Sequence, residues 1–243
     1  MLEIFIIVAP VFIVIASGYL ACSTNYLSPS ISDNINALTV KFTVPVLLFR
    51  AMYNLDFSAA LDLNMLISFY TGAITSFILG TFLARVVWKR TPGESVAVGF
   101  CGFFSNAVLL GLPIVERGYG AEAMTLAFGI IAFHSPFVYA IGITSMELAR
   151  RDGKPLGETL FATFKSICSN SLMIGIFIGV MFNLFGIKLF QPLSVAVDMI
   201  ASAALPIAVF GIGAALTNYT IKSEISESLA ISALTLLVYP AVV

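Results

Sequence analysis

The ten residues Phe104 to Pro113 read F-S-N-A-V-L-L-G-L-P and set Asn106, Gly111 and Pro113 in the middle of an otherwise apolar stretch. A proline removes one backbone hydrogen bond from a helix, and its ring collides with the preceding turn. In hydrocarbon the freed N–H and C=O groups are tolerated only when buried in protein or lining a watery cavity, and in transporters such breaks commonly form the substrate site near the midplane. The chemistry this offers is recognition of an anion. A half-helix can turn its positive end, with unpaired N–H groups, toward a carboxylate, and the Asn106 amide beside Ser105 adds a donor without a fixed charge. A neutral donor suits a ligand that must be released as readily as it is bound. The alternative is a packing kink, with Gly111 allowing another helix to come close.

Further candidates lie in other apolar stretches. Lys41 precedes Pro45 by four residues, hence on nearly the same helix face, where it can balance a carboxylate substrate or snorkel to the headgroups. Arg50 is about half a turn out of phase with Lys41 and is expected to snorkel toward the opposite surface. Asp198 is the coupling-ion candidate, with pairing to a cation or simple exposure to outer water as alternatives. Pro206 repeats the setting of Pro45 further along the chain. One histidine and three cysteines, Cys22, Cys101 and Cys168, provide no metal motif, no H-E-x-x-H and no disulfide framework. Neither metal nor cofactor is expected. Gly211 to Leu216 imitates a dinucleotide loop, but no strand precedes it and its third glycine is missing.

The elements that must position these residues follow from composition. Charged residues are 10% of the 243, hydrophobic residues 59%, and the mean hydropathy is +1.02. A water-soluble domain carries about 25% charge and has too little interior for so much apolar surface. Lipid is therefore the solvent for most of the chain. A net charge of −1 leaves no basic face for nucleic acid.

About 20 apolar residues cross a bilayer as a helix. By that criterion the chain has seven complete spans, Ile4–Ala21, Ile35–Leu55, Met65–Trp88, Ser95–Val115, Ala121–Leu148, Leu172–Ile187 and Pro192–Leu216, and an eighth from Leu229 that stops at Val243. With the N-terminus outside, the inner loops carry Arg85, Lys89, Arg90, Arg150, Arg151, Lys154, Lys165 and Lys222, against Arg117 and Lys188 outside. This asymmetry sets the orientation. Leu156, Leu160, Phe161, Phe164 and Ile167 recur at helical spacing, which predicts a short helix in the cytoplasmic interface or a plain linker.

Laid on itself with a shift of 161, the chain matches Gly18 to Gly179, Pro45 to Pro206, Phe49 to Phe210 and Leu55 to Leu216. The same shift carries spans one, two and three onto six, seven and eight. Five spans separate equivalent positions, so the halves must face opposite ways, the arrangement of many secondary transporters. The expected organisation is residues 1–148 as a first five-helix repeat, 149–170 as a cytoplasmic linker and 171–243 as an incomplete second repeat. The gene is expected to continue for about 65 to 70 residues, with a second broken helix near position 267.

The segments M-L-E-I-F-I-I-V-A-P-V-F, V-P-V-L-L-F-R-A, S-N-A-V-L-L-G-L-P and L-P-I-A-V-F-G-I-G-A-A-L stand in an order that resembles the auxin efflux carrier family. That family includes bacterial malonate and malate permeases. The resemblance implies an all-α polytopic membrane protein of inverted five-helix repeats, with crossing broken helices. Helices one, two, six and seven would form a scaffold, and the remainder a moving transport domain. It maps the fourth-helix site to Asn106, with Gly111 and Pro113 shaping the break. The expected function is a secondary carrier of small organic anions in the inner (plasma) membrane, with protons or sodium as candidate coupling ions and a homodimer as candidate assembly. A membrane receptor or assembly protein is the alternative, followed by an intramembrane enzyme, for which no catalytic set can be assembled.

Overall fold

The computed structural model describes residues 2–28, 30–57, 62–150, 156–218 and 225–243. Among them there is no strand. The helices are α1 (Leu2–Ser23), α2 (Ile31–Tyr53), α3 (Leu63–Val86), α4 (Pro92–Phe103), α5 (Leu112–Arg150), α6 (Leu156–Cys168), α7 (Ser171–Leu184), α8 (Gln191–Leu216) and α9 (Ile225–Val242). Six stretches are long and apolar enough to cross a membrane, Phe5–Ser23, Ile31–Tyr53, Leu63–Val86, Pro92–Gly120, Gln191–Leu216 and Ile225–Val242. Phe12, Ile13, Ile78, Phe82, Phe177 and Leu236 are each more than half exposed. Hydrocarbon accepts such a surface; water does not. The chain is an all-α polytopic membrane protein.

Two expected spans differ from the observed helices. Span five is the part of α5 beyond Gly120, whose φ of 76° interrupts the helix. Span six was expected to reach Ile187, but α7 has 14 residues and ends at Leu184. Gly186 stops it by taking φ 63°, and the Ile187 N–H bonds back to the Phe182 carbonyl at 2.9 Å, the Schellman closure that a left-handed glycine allows. At about 1.5 Å per residue α7 is roughly 21 Å long, short of a full hydrocarbon core.

Wide i→i+5 turns occupy Thr39–Thr43, Ala107–Gly111 and Leu234–Val238. Each ends two residues before a proline, Pro45, Pro113 or Pro240. The widened turn takes up the missing N–H and gives the ring room against the preceding carbonyls, so the helix continues past the proline instead of ending there.

The chain divides into two compact units. The first comprises residues 1–60, 106–132 and 169–220, and the second residues 61–105, 133–168 and 221–243. In the first unit, α1 packs on α8 and α2 packs on both α7 and α8. Its core gathers Val44, Leu48, Met52, Leu112, Ile131 and Ala204. A side chain added at Gly18 would strike the Phe210 carbonyl oxygen, and one added at Gly179 would strike that of Phe49. Because Gly179 and Phe210 each follow Gly18 and Phe49 by 161 residues, one helix contact is made twice with the partners exchanged. Gly175 lies on Pro45 and Gly179 on Phe49 and Met52, so α2 and α7 run parallel. The end of α2 is tied down by Asn183, whose amide donates to the carbonyls of Met52, Tyr53 and Leu55, each at 2.9 Å. Orphan carbonyls at a helix end need such donors, above all away from water.

In the second unit, α3 packs on α4 through Gly80 and Gly99, and Tyr239 of α9 covers Gly72. Ala73, Phe103 and Val138 form its core. The entry to α4 is a capping box, Thr91 accepting from the Glu94 amide while the Glu94 carboxylate accepts from Thr91. An ion pair joins Arg90 Nη2 to the buried Glu227 Oε2 at 2.8 Å. Helix α6 forms where the spacing predicts it, with Phe161 and Phe164 exposed. The side chains of Leu156 and Leu160, the charges of Arg151, Lys154 and Lys222, and residues 151–155 of the expected linker lie outside the described residues. The three cysteines are free thiols, Cys22 buried and the other two exposed.

Candidate functional site

The fourth span breaks between α4 and the turn at Ala107. Phe104, Ser105 and Asn106 are unwound, with Phe104 at φ −83°, ψ 104° and Asn106 at φ −78°, ψ 61°. The break thus falls upstream of Gly111 and Pro113, which were expected to shape it. Pro113 instead sits in the first turn of α5, where the wide turn before it has already absorbed its missing donor. Asn106 determines where the helix restarts. Its Oδ1 accepts the Leu109 N–H at 3.1 Å, and its carbonyl accepts from Leu110 and Gly111 at 3.2 and 3.0 Å. An asparagine is among the best N-caps because its short side chain replaces one missing acceptor of the first turn. Ser105 and Asn106 also mark the passage of the chain from the second compact unit to the first.

With its oxygen committed to Leu109, the Asn106 side chain offers its NH2 as the outward donor, and the residue is exposed. The first amides of the restarted helix have no intrahelical acceptor, and the macrodipole adds partial positive charge there. The following turn, Ala107–Gly111, packs on α8, the helix that carries Pro206. Gly111 is not a close-contact position, since an added Cβ would find nothing nearer than the Asn106 carbonyl oxygen at 3.6 Å. The packing role considered for it therefore has no partner among the described residues.

The other candidate residues fall in two further places. Pro206 lines a cavity of about 540 Å³ in the first unit, together with Arg50, Asn54, Glu116, Thr125 and Ser202. Arg50 does not simply snorkel: its Nε meets Asp198 Oδ1 at 2.6 Å, so the two charges lodged in α2 and α8 cancel. Asp198, about half exposed, is thus paired with a cation in this structure. With Arg50 neutralised and Glu116 also facing this cavity, it holds no surplus positive charge. Lys41 and Pro45 occupy a separate groove between α2 and α7. The Arg50–Asp198 pair spans 148 residues of sequence and has no local signal; only the rarity of intramembrane charge marks either partner as needing another.

A family model described as membrane transport protein matches residues 3–243 of the chain. No curated protein matches it.

Proposed function

Because the chain belongs to the membrane transport protein family, we propose that it is a secondary carrier of small organic anions, dicarboxylates such as malonate and malate among them, working by alternating access. The observation that carries the anion reading is the unwound Phe104–Asn106 in the fourth span. There a half-helix begins on an exposed asparagine whose oxygen is already engaged. This places neutral donors and a positive dipole end at one point of a membrane segment, and adds no cation from which a product would have to escape. The resemblance to auxin efflux carriers supports the same substrate class. The test is uptake of radiolabelled malonate and malate into vesicles reconstituted with the purified protein, with imposed proton or sodium gradients in separate arms. Protein-dependent uptake competed by small carboxylates, and not by their amides, is expected. Uptake no greater than that of empty vesicles across the carboxylate panel rejects the anion reading.

Alternating access requires halves that can exchange roles, and the twice-made contact of Gly18 with Phe210 and Gly179 with Phe49 supports inverted repeats. The parallel course of α2 and α7 agrees with three crossings between them, by α3, by the broken fourth span and by the remainder of α5, while α6 stays at the surface. With the N-terminus outside and Cys22, Cys101 and Cys168 replaced by serine, a cysteine replacing Lys89 is expected to react with an impermeant thiol reagent only in inside-out vesicles, and one replacing Asp62 only in right-side-out cells. The reverse pattern overturns the assignment made from the loop charges.

A further inference from the structure

The crease between α2 and α7 has a chemical polarity that the carrier mechanism does not use. Its volume is about 310 Å³. It exists because Gly175 and Gly179 rest directly on the backbone of Pro45 and Phe49, so the two helices touch without side chains to fill the floor between them. Since the helices run parallel, Lys41 and Ser171 lie at the same end, and among the described residues they are the only polar side chains that line it. The rest of the wall is apolar, chiefly Phe42, Pro45, Phe49, Ile174 and Ile178. Phe42, Ile174 and Ile178 are each more than 40% exposed, so the crease opens sideways onto the lipid-facing surface.

We propose that this crease binds one acidic phospholipid, with Lys41 on the headgroup phosphate and an acyl chain laid over Ile174 and Ile178. Lys41 is exposed, and among the described residues its ammonium group has no ion-pair partner. The start of α7 does not compete for the phosphate, because Asn170 Oδ1 already accepts the N–H groups of Leu172 and Met173 at 2.9 and 3.4 Å. A phosphodiester brings one negative charge to one cation and a hydrocarbon tail to an apolar wall. A small dicarboxylate would bring two charges to that cation and leave the wall uncovered. Lys41 lies midway along α2, level with Ser171 at the start of α7, and the loop charges assign the N-terminal ends of both helices to the cytoplasmic face, where anionic headgroups are enriched and toward which a lysine can extend. This binding does not depend on what the protein carries.

The experiment uses the protein in nanodiscs of mixed phosphatidylcholine and phosphatidylglycerol, with retained lipid counted by native mass spectrometry. A phosphatidylglycerol bearing a photoreactive acyl chain maps the contact. The expected result is about five-fold preferential retention of phosphatidylglycerol, the scale of one lysine at an anionic surface, with cross-links on the peptide containing Ile174 and Ile178. Lys41→Gln is expected to remove the preference, and Lys41→Arg to keep it. Ile178→Trp, which fills the crease and leaves the charge in place, is expected to remove the cross-link. No preference in the wild-type protein, an unchanged preference in Lys41→Gln, or displacement of the lipid by free malonate overturns the proposal. The last outcome assigns Lys41 to a soluble anion.

Discussion

Uptake of malonate or malate into reconstituted vesicles is expected to fall at least ten-fold when Asn106 is replaced by alanine, with the protein still inserted and folded. The separation of the two effects follows from magnitudes. The substitution removes the oxygen that holds the Leu109 N–H at 3.1 Å, and loss of an N-cap costs about 1 kcal/mol, a loss a folded membrane protein survives. In the proposed carrier the anion loses its side-chain donor and the fixed starting point of the half-helix, both of which act where it would bind. Asn106→Asp sharpens the comparison, because aspartate caps as well as asparagine yet sets a negative charge against a negative substrate. Its stability is expected to match the wild type while its uptake falls at least as far as in the alanine variant. Initial rates at equal protein incorporation, with thermal unfolding measured in parallel, check both. If Asn106→Ala transports at the wild-type rate, the break is a packing feature and the anion is bound elsewhere.

Gly18→Leu and Gly179→Leu are each expected to abolish folded, monodisperse protein. A Cβ at either position meets a carbonyl oxygen of the opposing helix, Phe210 in one case and Phe49 in the other. Backbone cannot step aside as a side-chain tip can, so the helices must separate along their whole contact. Overpacking of this kind costs about 3 kcal/mol or more, a large share of a typical folding free energy. Because the two contacts are equivalent under the 161-residue shift, the two variants are expected to fail alike. Gly111→Ala is the matched control. Its Cβ has open space out to 3.6 Å, and alanine is a better helix former than glycine by about 1 kcal/mol, so stability is expected to hold or rise. Thermal midpoints and size-exclusion profiles of the detergent-solubilised variants decide the matter. A Gly18→Leu protein as stable as Gly111→Ala would show that α1 and α8 do not meet at this point.

The Gly18 and Gly179 contacts also show how far the sequence could be read. The proposed repeat rests on four matching positions among abundant apolar residues, and the structure places residues from two of those matches in contact, Gly18 with Phe210 and Gly179 with Phe49. No sequence comparison could state that pairing, because the shift relates positions that are equivalent, not positions that touch. The break in the fourth span was legible as a region but not as a place. Proline is the strongest local signal, but a wide turn relieves Pro113, and the asparagine seven residues earlier places the restart. The end of α7 differs from the expected Ile187 for a similar reason. Phe185 and Ile187 continue the apolar run, but Gly186 can adopt a left-handed conformation and close the helix.

What the sequence alone determined is what the solvent imposes. In hydrocarbon every backbone group must be satisfied within its own helix, so the all-α class, the approximate spans, the loop charges and the short helix over Leu156–Cys168 follow from local composition and periodicity. What only the tertiary structure decided is which helix lies beside which. Arg50 finds Asp198 at 2.6 Å across 148 residues of chain, Asn183 closes the carbonyl end of α2, and Lys41 is left facing an open crease beside α7. Lipid is as apolar as the helices themselves and gives no hydrophobic reason for one neighbour over another. That choice falls to close backbone approach at Gly18, Gly175 and Gly179 and to the few polar groups that must find partners, and both depend on positions that are distant in the chain.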